Sequence, residues 1–172
     1  NTLKELQLNA SLLDTASNIP EGENNYLPTH ITARSAFQDR FRTTLMSSDL
    51  DISLNYVSKY YDHLGTSSPN GTSYTKKTVL ENNPYLTDVM DNINYVLYVP
   101  PHKDYWKNNR TVISVVRSMR DIYHQYGLLI ADFDMDTLTR QLLSGFDTPE
   151  DYDITILDDA DNLVYTSASS LN

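Results

Sequence analysis

Two neighbouring stretches of the sequence decide the fold: TVISVVRSMR at Thr111–Arg120 and GLLIADFDMDTL at Gly127–Leu138. The first is rich in β-branched residues over 111–116 and continues towards Met119, which predicts a strand. The second opens with a nearly continuous apolar run over 127–131, a pattern typical of a strand that is buried on both faces. We therefore expect two strands close in sequence, the second of them central in a sheet.

A helix and a hairpin are predicted after these strands. Asp134 or Asp136 can cap the helix, because a short acidic side chain accepts hydrogen bonds from the first free backbone N–H groups. Polar and apolar residues then alternate at 153–157 and 163–165, which predicts a hairpin. Asn162 is able to take the left-handed conformation that its tight turn requires. The hairpin either completes the sheet or begins a second domain.

The residues before Thr111 add helices and one further strand. Apolar residues recur with a helical period over 3–16 and again over 29–46. The β-branched and aromatic run Asn94–Val99 predicts a strand that Pro100-Pro101 ends. Residues 47–90 stay undecided between strand and helix. The order of helices, antiparallel strands, helix and hairpin places the chain in the α+β class.

Composition and charge exclude several functions. The net charge is −10, and it comes from the end of the chain: residues 1–120 hold twelve acidic and twelve basic side chains, whereas 121–172 hold eleven acids and one base. Nucleic acid is therefore not expected as a partner, because phosphate binding needs a basic face. The chain has no cysteine, which excludes a disulfide scaffold and thiolate metal sites. It opens on Asn1 and contains no apolar stretch of membrane-spanning length, so we interpret it as a fragment of a longer protein.

The motifs that would carry catalysis or bind a metal are not found. Asp132, Asp134 and Asp136 form a D-x-D-x-D run, but an EF-hand loop needs Gly at its sixth position and Glu at its twelfth. Those positions hold Thr137 and Leu143, so the run is better explained by one strand residue and two helix-capping residues. The histidines lack metal-ligand spacing, and neither a phosphate loop nor a nucleophile motif is present. We predict no catalytic residue, no metal and no cofactor.

A binding site is better supported. Tyr105 and Trp106 lie in a polar connection between two strands, where aromatic side chains can cover a pocket on the sheet. Arg117 interrupts an apolar strand, and a half-buried arginine needs an anion. Asp132 is its obvious partner within the chain, and a ligand carboxylate is the alternative. Tyr98, on the strand predicted before the connection, completes the candidate ligand-binding set.

Both deciding stretches resemble the core of Cache domains, which are extracellular PAS-like sensor modules. That core has a strand ending in Arg, a connection, and a G-[VL]-L-x-x-D-[IF] strand that leads into a helix. The segment ITILDDADNLVYTS at 154–167 is similar to the ILDDxGxIVYSS hairpin that follows in this family. The combination most resembles the extracellular part of YesM-type sensor histidine kinases, and it covers residues 92–167.

The resemblance implies an architecture and a cellular setting. Residues 1–46 would form an N-terminal helical stalk packed on an antiparallel PAS-like sheet, and residues 47–146 the sensor domain. Residues 147–172 would complete the sheet or begin a truncated membrane-proximal subdomain. The parent would be a membrane-anchored homodimeric kinase, with this non-enzymatic part on the extracellular face of the bacterial membrane and a small-molecule ligand as its partner.

The resemblance also implies roles for the candidate residues. In amino-acid-sensing double-Cache domains, the Asp of the G-x-L-x-x-D strand contacts the ligand amine, and Asp132 falls on that position. Tyr105, Trp106 and Arg117 are the candidates for holding a ligand carboxylate, although the full aromatic-Arg-Trp-Tyr spacing of that group is absent. The ligand therefore stays open. The alternatives are a protein-interaction or mechanical-sensing module without a pocket, and the ligand-binding domain of a chemoreceptor.

Overall fold

A computed structural model describes residues 31–46, 52–59, 63–66, 77–92, 95–106, 110–120, 123, 125–147 and 151–167. The helices are α1 Ile31–Met46, α2 Lys77–Asn82, α3 Pro84–Asp91 and α4 Met135–Leu143. The strands are β1 Ile52–Ser58, β2 His63–Gly65, β3 Val96–Lys103, β4 Thr111–Arg120, β5 Gln125–Asp134, β6 Thr155–Leu157 and β7 Leu163–Thr166. The helix predicted over 3–16 lies outside the described residues.

Strands β1 to β5 form one antiparallel sheet in the order β2-β1-β5-β4-β3. The predicted strands at Thr111 and Gly127 are confirmed, and β5 is central, as its apolar run indicates. Part of the undecided region, Ile52–Ser58, proves to be strand β1. All seven of its residues are buried, although apolar Ile52, Leu54 and Tyr56 alternate with polar Ser53 and Asn55 as in a half-exposed strand.

Helices cover both faces of this sheet. On the α1 face, Phe37 and Phe41 are fully buried, and the Phe37 ring stacks on Tyr56 of β1 with centroids 4.4 Å apart. The predicted helix over 29–46 is thus confirmed from Ile31 onwards, with its apolar side on the sheet. On the other face, α2 and α3 pack against a second apolar cluster that includes Val116, Leu128 and Ile130. No helix in the described ranges is long and apolar enough to cross a membrane.

The end of strand β3 differs from the prediction. Instead of ending at Pro100-Pro101, it continues to Lys103, with a register shift between Val99 and His102. The prolines fall inside that irregularity. They are tolerated because β3 lies at the edge of the sheet, where a residue without an N–H removes no ladder hydrogen bond.

The helix and the hairpin after β5 form as predicted, with one correction. Asp134 caps α4 by accepting a hydrogen bond from the Thr137 backbone N–H at 2.9 Å. Strands β6 and β7 pair only with each other in the part of the chain described, so they do not extend the main sheet. The left-handed residue of their turn is Asp161, with φ 63°, and not Asn162. The Asn162 side chain instead donates to Asp158 Oδ2 at 2.9 Å, which closes the turn.

Candidate functional site

Polar side chains replace apolar ones on one half of the sheet face that α3 covers. The register of β1, β2, β4 and β5 places their alternate residues on this face. The connection between β3 and β4 contributes the remaining members. We call the set the polar face, and its members are Ser53, Asn55, His63, Asp104, Tyr105, Trp106, Arg110, Ser114 and Asp132.

Asp132 lies at the centre of the polar face and is 1% exposed. Its Oδ2 accepts a hydrogen bond from Asn55 Nδ2 at 2.6 Å, and its Oδ1 accepts one from Ser114 Oγ at 2.5 Å. Burial raises the pKa of Asp132 to about 7, the negative charge of Asp104 adds to the rise, and the two hydrogen bonds and Arg110 oppose it. Burial therefore favours the protonated form of this carboxyl group far more than in a solvated aspartate.

Asn55 joins Asp132 to His63 on the edge strand. Because the Asn55 amide nitrogen donates to Asp132, its Oδ1 must accept from His63 Nε2, 2.9 Å away. His63 therefore carries its proton on Nε2, and burial lowers its pKa to about 4. Gly65 makes this contact possible, since a Cβ there would lie 2.1 Å from Asn55 Oδ1.

An ion pair fixes the connection between β3 and β4. Asp104 is fully buried, and its Oδ2 accepts a hydrogen bond from Arg110 Nε at 2.6 Å while its Oδ1 accepts one from the Trp106 backbone N–H at 2.7 Å. Arg110 Nη2 also donates to Ser53 Oγ at 2.8 Å. One guanidinium thus ties the connection to β1, beside Asp132.

Aromatic rings cover the polar face. The Trp106 indole stacks on His63 with ring centroids 3.8 Å apart and planes 9° apart. The Tyr105 hydroxyl donates to the Tyr85 hydroxyl of α3 at 2.7 Å, because Tyr85 uses its own proton on Asn83. Two buried atoms, Trp106 Nε1 and His63 Nδ1, have no hydrogen-bond partner among the described residues. One is a donor and the other a lone-pair acceptor, so the stacked rings leave both capacities for a bound molecule.

The structure brings together three of the five predicted site residues, Tyr105, Trp106 and Asp132. Arg117 and Tyr98 lie on the opposite face of the sheet, and the predicted Arg117–Asp132 pair is wrong. Asp132 faces Ser114 across the ladder, three residues from Arg117, and an odd separation along a strand reverses the face. The charge of Arg117 instead acts on Tyr98, whose pKa burial and Asp159 raise.

Sequence reasoning missed the other six members of the polar face, Ser53, Asn55, His63, Asp104, Arg110 and Ser114. One local signal was available: Ser114 interrupts the apolar run of β4 on the face that Asp132 shares. The three residues of the D-x-D-x-D run have different surroundings. Asp132 belongs to the polar face, Asp134 caps α4 and Asp136 is exposed.

A cavity of about 600 Å³ opens elsewhere, between α1 and β2. Its charged side chains, Asp39 and Arg42, are 74% and 77% exposed. Exposed charges are already solvated and gain little from a ligand. We therefore assign the candidate site to the polar face.

Comparisons with known proteins support the architecture. No protein-family model matches the chain, and no curated protein matches it in sequence. Among solved structures, the ligand-binding domain of the Campylobacter jejuni chemoreceptor Tlp3 in complex with L-norvaline matches with a TM-score of 0.56 at 10% identity, over 99% of this chain and 68% of that one. The chain has the α+β fold of this ligand-binding domain. The α+β, PAS-like prediction is thereby confirmed.

Two further matches carry the same fold. The Tlp3 domain in complex with L-valine matches with a TM-score of 0.55 at 10% identity, over 96% of this chain. The ligand-binding domain of the Pseudomonas fluorescens chemoreceptor CtaA in complex with L-valine matches with a TM-score of 0.53 at 15% identity, over 95% of this chain. The chain spans 65% of the length of each of these two structures.

Proposed function

We propose that this chain is the extracytoplasmic sensing part of a bacterial membrane signalling protein, and that it binds a small molecule on the polar face without chemical conversion. The observation that carries the proposal is the buried polar cluster around Asp132, in which two buried atoms find no hydrogen-bond partner among the described residues. Burying such groups in place of apolar side chains costs folding free energy. A bound ligand that completes their hydrogen bonds would recover part of that cost.

The chemistry of the polar face favours a small polar ligand with both a cationic and an anionic or acceptor end. Asp132 and the His63 Nδ1 lone pair attract a donor, whereas Arg110 and Trp106 Nε1 donate. An amino acid has this pattern, and the chemoreceptor domains of the same fold have L-valine or L-norvaline bound. We propose an amino acid or a close analogue as the ligand.

The proposal extends to the parent protein. The likeness of residues 154–167 to the hairpin of YesM-type proteins favours a homodimeric, membrane-anchored histidine kinase, with this domain outside the cell. The structural matches favour a chemoreceptor as the second candidate. In both, the ligand would act by binding one arrangement of the sheet and its helices better than another.

The first prediction is that a panel of amino acids contains a ligand that stabilises the chain. At a ligand concentration of 100 times Kd, the gain in folding free energy is about 2.7 kcal/mol, which thermal unfolding detects. Ligand binding should also change the tryptophan fluorescence, because Trp106 lies on the polar face and is the single tryptophan of the chain. Asp132→Asn is expected to weaken the apparent affinity for this ligand at least tenfold, because it removes the charge that would face the ligand amine. The stabilisation at a given ligand concentration should fall accordingly.

Arg117→Ala is the control for this experiment. Arg117 lies on the same strand as Ser114 but on the opposite face of the sheet, so the variant should keep the affinity of the wild type. If amino acids, sugars and carboxylates all leave the unfolding temperature unchanged, small-molecule sensing is contradicted. Equal losses of affinity in both variants would move the site away from the polar face.

A further inference from the structure

A continuous hydrogen-bonded run crosses the polar face and connects three titratable side chains. It passes from His102 on β3 to Ser114, from Ser114 to Asp132, and through Asn55 to His63. Its two ends are fixed by protons whose positions the geometry determines. His63 donates from Nε2 to Asn55, as described above.

At the other end, His102 Nδ1 lies 2.9 Å from the Pro100 carbonyl oxygen. A carbonyl oxygen only accepts, so Nδ1 carries the proton, and Nε2 of the neutral ring is a lone pair. That lone pair faces Ser114 Oγ at 3.3 Å. Ser114 therefore has two acceptors within reach, His102 Nε2 and Asp132 Oδ1, and one proton to give.

The charge of Asp132 decides which acceptor receives the Ser114 proton. When Asp132 is ionised, the hydroxyl donates to Oδ1, and His102 Nε2 is left without that donor. When Asp132 is protonated, Oδ2 still accepts from Asn55, so the added proton resides on Oδ1 and donates to Ser114 Oγ. The Ser114 hydroxyl then rotates to donate to His102. In both states Ser114 and Asp132 stay hydrogen-bonded, and only the direction of their hydrogen bond changes.

We propose that Asp132, Ser114 and His102 form a proton switch that lets the polar face respond to external pH independently of its ligand. Protonation of Asp132 changes the summed charge of Asp104, Arg110 and Asp132 from −1 to zero. It also reverses the hydrogen bond between Ser114 and Asp132 and adds one from Ser114 to His102.

The groups that surround Asp132 favour this behaviour. From the connection, Asp104 opposes ionisation and Arg110 favours it, with burial as the largest effect on the Asp132 pKa. His63 and His102 face Asp132 from the two edge strands, β2 and β3. Both are neutral near pH 7, because burial lowers their pKa. The other facing group is the Tyr105 phenol, hydrogen-bonded to Tyr85 of α3, and burial raises its pKa far above its ordinary value. Asp132 is therefore the group of this set whose pKa lies near neutral pH.

The switch is tested by a pH titration of the ligand-free chain between pH 5 and 8.5, with infrared detection of the carboxylic acid C=O stretch and Trp106 fluorescence. Both signals should follow one proton with a midpoint near pH 7. In Asp132→Asn the amide nitrogen can donate to Ser114 as the protonated acid does. Its fluorescence should therefore stay at the acidic limit at every pH, and the infrared transition should be lost. Asp88→Asn, at an exposed position on α3, is the matched control and should titrate like the wild type.

A second variant tests the switch even if Asp132→Asn does not fold. Ser114→Ala removes a hydrogen bond that favours the ionised carboxylate, so the midpoint should rise by roughly half to one pH unit. Any of three results would overturn the switch. The wild type could show no transition in this range, the transition could survive in Asp132→Asn, or Ser114→Ala could leave the midpoint unchanged. Since no ligand is present, these outcomes are distinct from a failure of the ligand screen.

The switch also predicts how stability depends on pH. The folded-state pKa of about 7 lies above the ordinary value of 3.8, so between these values the folded chain holds a proton that the unfolded chain releases. The contribution of Asp132 is therefore most favourable below about pH 4 and is lost as pH rises through 7. The unfolding equilibrium constant of the wild type should rise relative to that of Asp132→Asn by up to about tenfold per pH unit across this window. Urea unfolding of both proteins at several pH values measures the difference, and parallel curves would contradict the assignment.

Discussion

Gly127→Ala is expected to destabilise the chain by about 3 kcal/mol or more, and to leave little of it folded under mild denaturing conditions. Gly127 lies on the central strand β5, directly opposite Ser58 of β1. A Cβ at this position would lie 2.1 Å from the Val57 carbonyl oxygen and 2.9 Å from Ser58 Cα. Both are backbone atoms of a paired strand, so neither can move away without breaking the β1–β5 ladder that positions Asn55 beside Asp132.

Gly145→Ala is the matched control for this prediction. Gly145 follows helix α4, and a Cβ added there meets no atom of the described residues within 4 Å. Its free energy of unfolding should stay within about 0.5 kcal/mol of the wild type. Urea unfolding followed by circular dichroism measures both variants. Similar values for the two would mean that close packing of β5 against β1 is not what requires glycine at position 127.

Local patterns predicted the parts of the fold in which one segment determines its own structure. Strand β4, strand β5 and the start of α4 were evident because their β-branched runs and capping residue lie within a few positions of each other. Strand β1 was not assigned, because its alternation of Ile52, Leu54 and Tyr56 with Ser53 and Asn55 stops at Val57, and so short a run is ambiguous between strand and helix. Its assignment depends on pairing with β5, some 75 residues later in the chain.

The site was harder to predict than the fold because strand register decides it. Arg117 and Asp132 looked like partners in sequence, but register places them on opposite faces. Asp132 instead pairs with Asn55, from which 77 positions separate it, and no pattern at either residue indicates that contact. Only the aromatic connection, with Tyr105 and Trp106, was correctly grouped with Asp132, because a short connection between paired strands must lie near the end of the neighbouring strand.

Within the polar face, Asp104→Asn is expected to have the largest effect on stability. Asp104 is fully buried, and Arg110, which it binds through Nε, is only 20% exposed. Removing one partner of a buried ion pair leaves the other charge uncompensated, which typically costs about 3 to 5 kcal/mol. The variant also places an amide where Arg110 Nε and the Trp106 backbone N–H now donate. We therefore expect a lower urea midpoint and altered Trp106 fluorescence.

The exposed pair Asp39–Arg42 supplies the control, since its atoms are 3.9 Å apart and both side chains are more than 70% exposed. Asp39→Asn should change the free energy of unfolding by less than about 1 kcal/mol. Equal stability of the two variants would mean that the buried pair contributes no more than an exposed one.

Asp104→Asn should also change the titration of Asp132. The negative charge of Asp104 raises the pKa of Asp132, so its removal should lower the midpoint of the proton switch, in the direction opposite to Ser114→Ala. A purely structural role for Asp104 would lower stability and leave that midpoint in place. The pH titration of the folded variant therefore separates the electrostatic role of Asp104 on the polar face from its role in holding the connection.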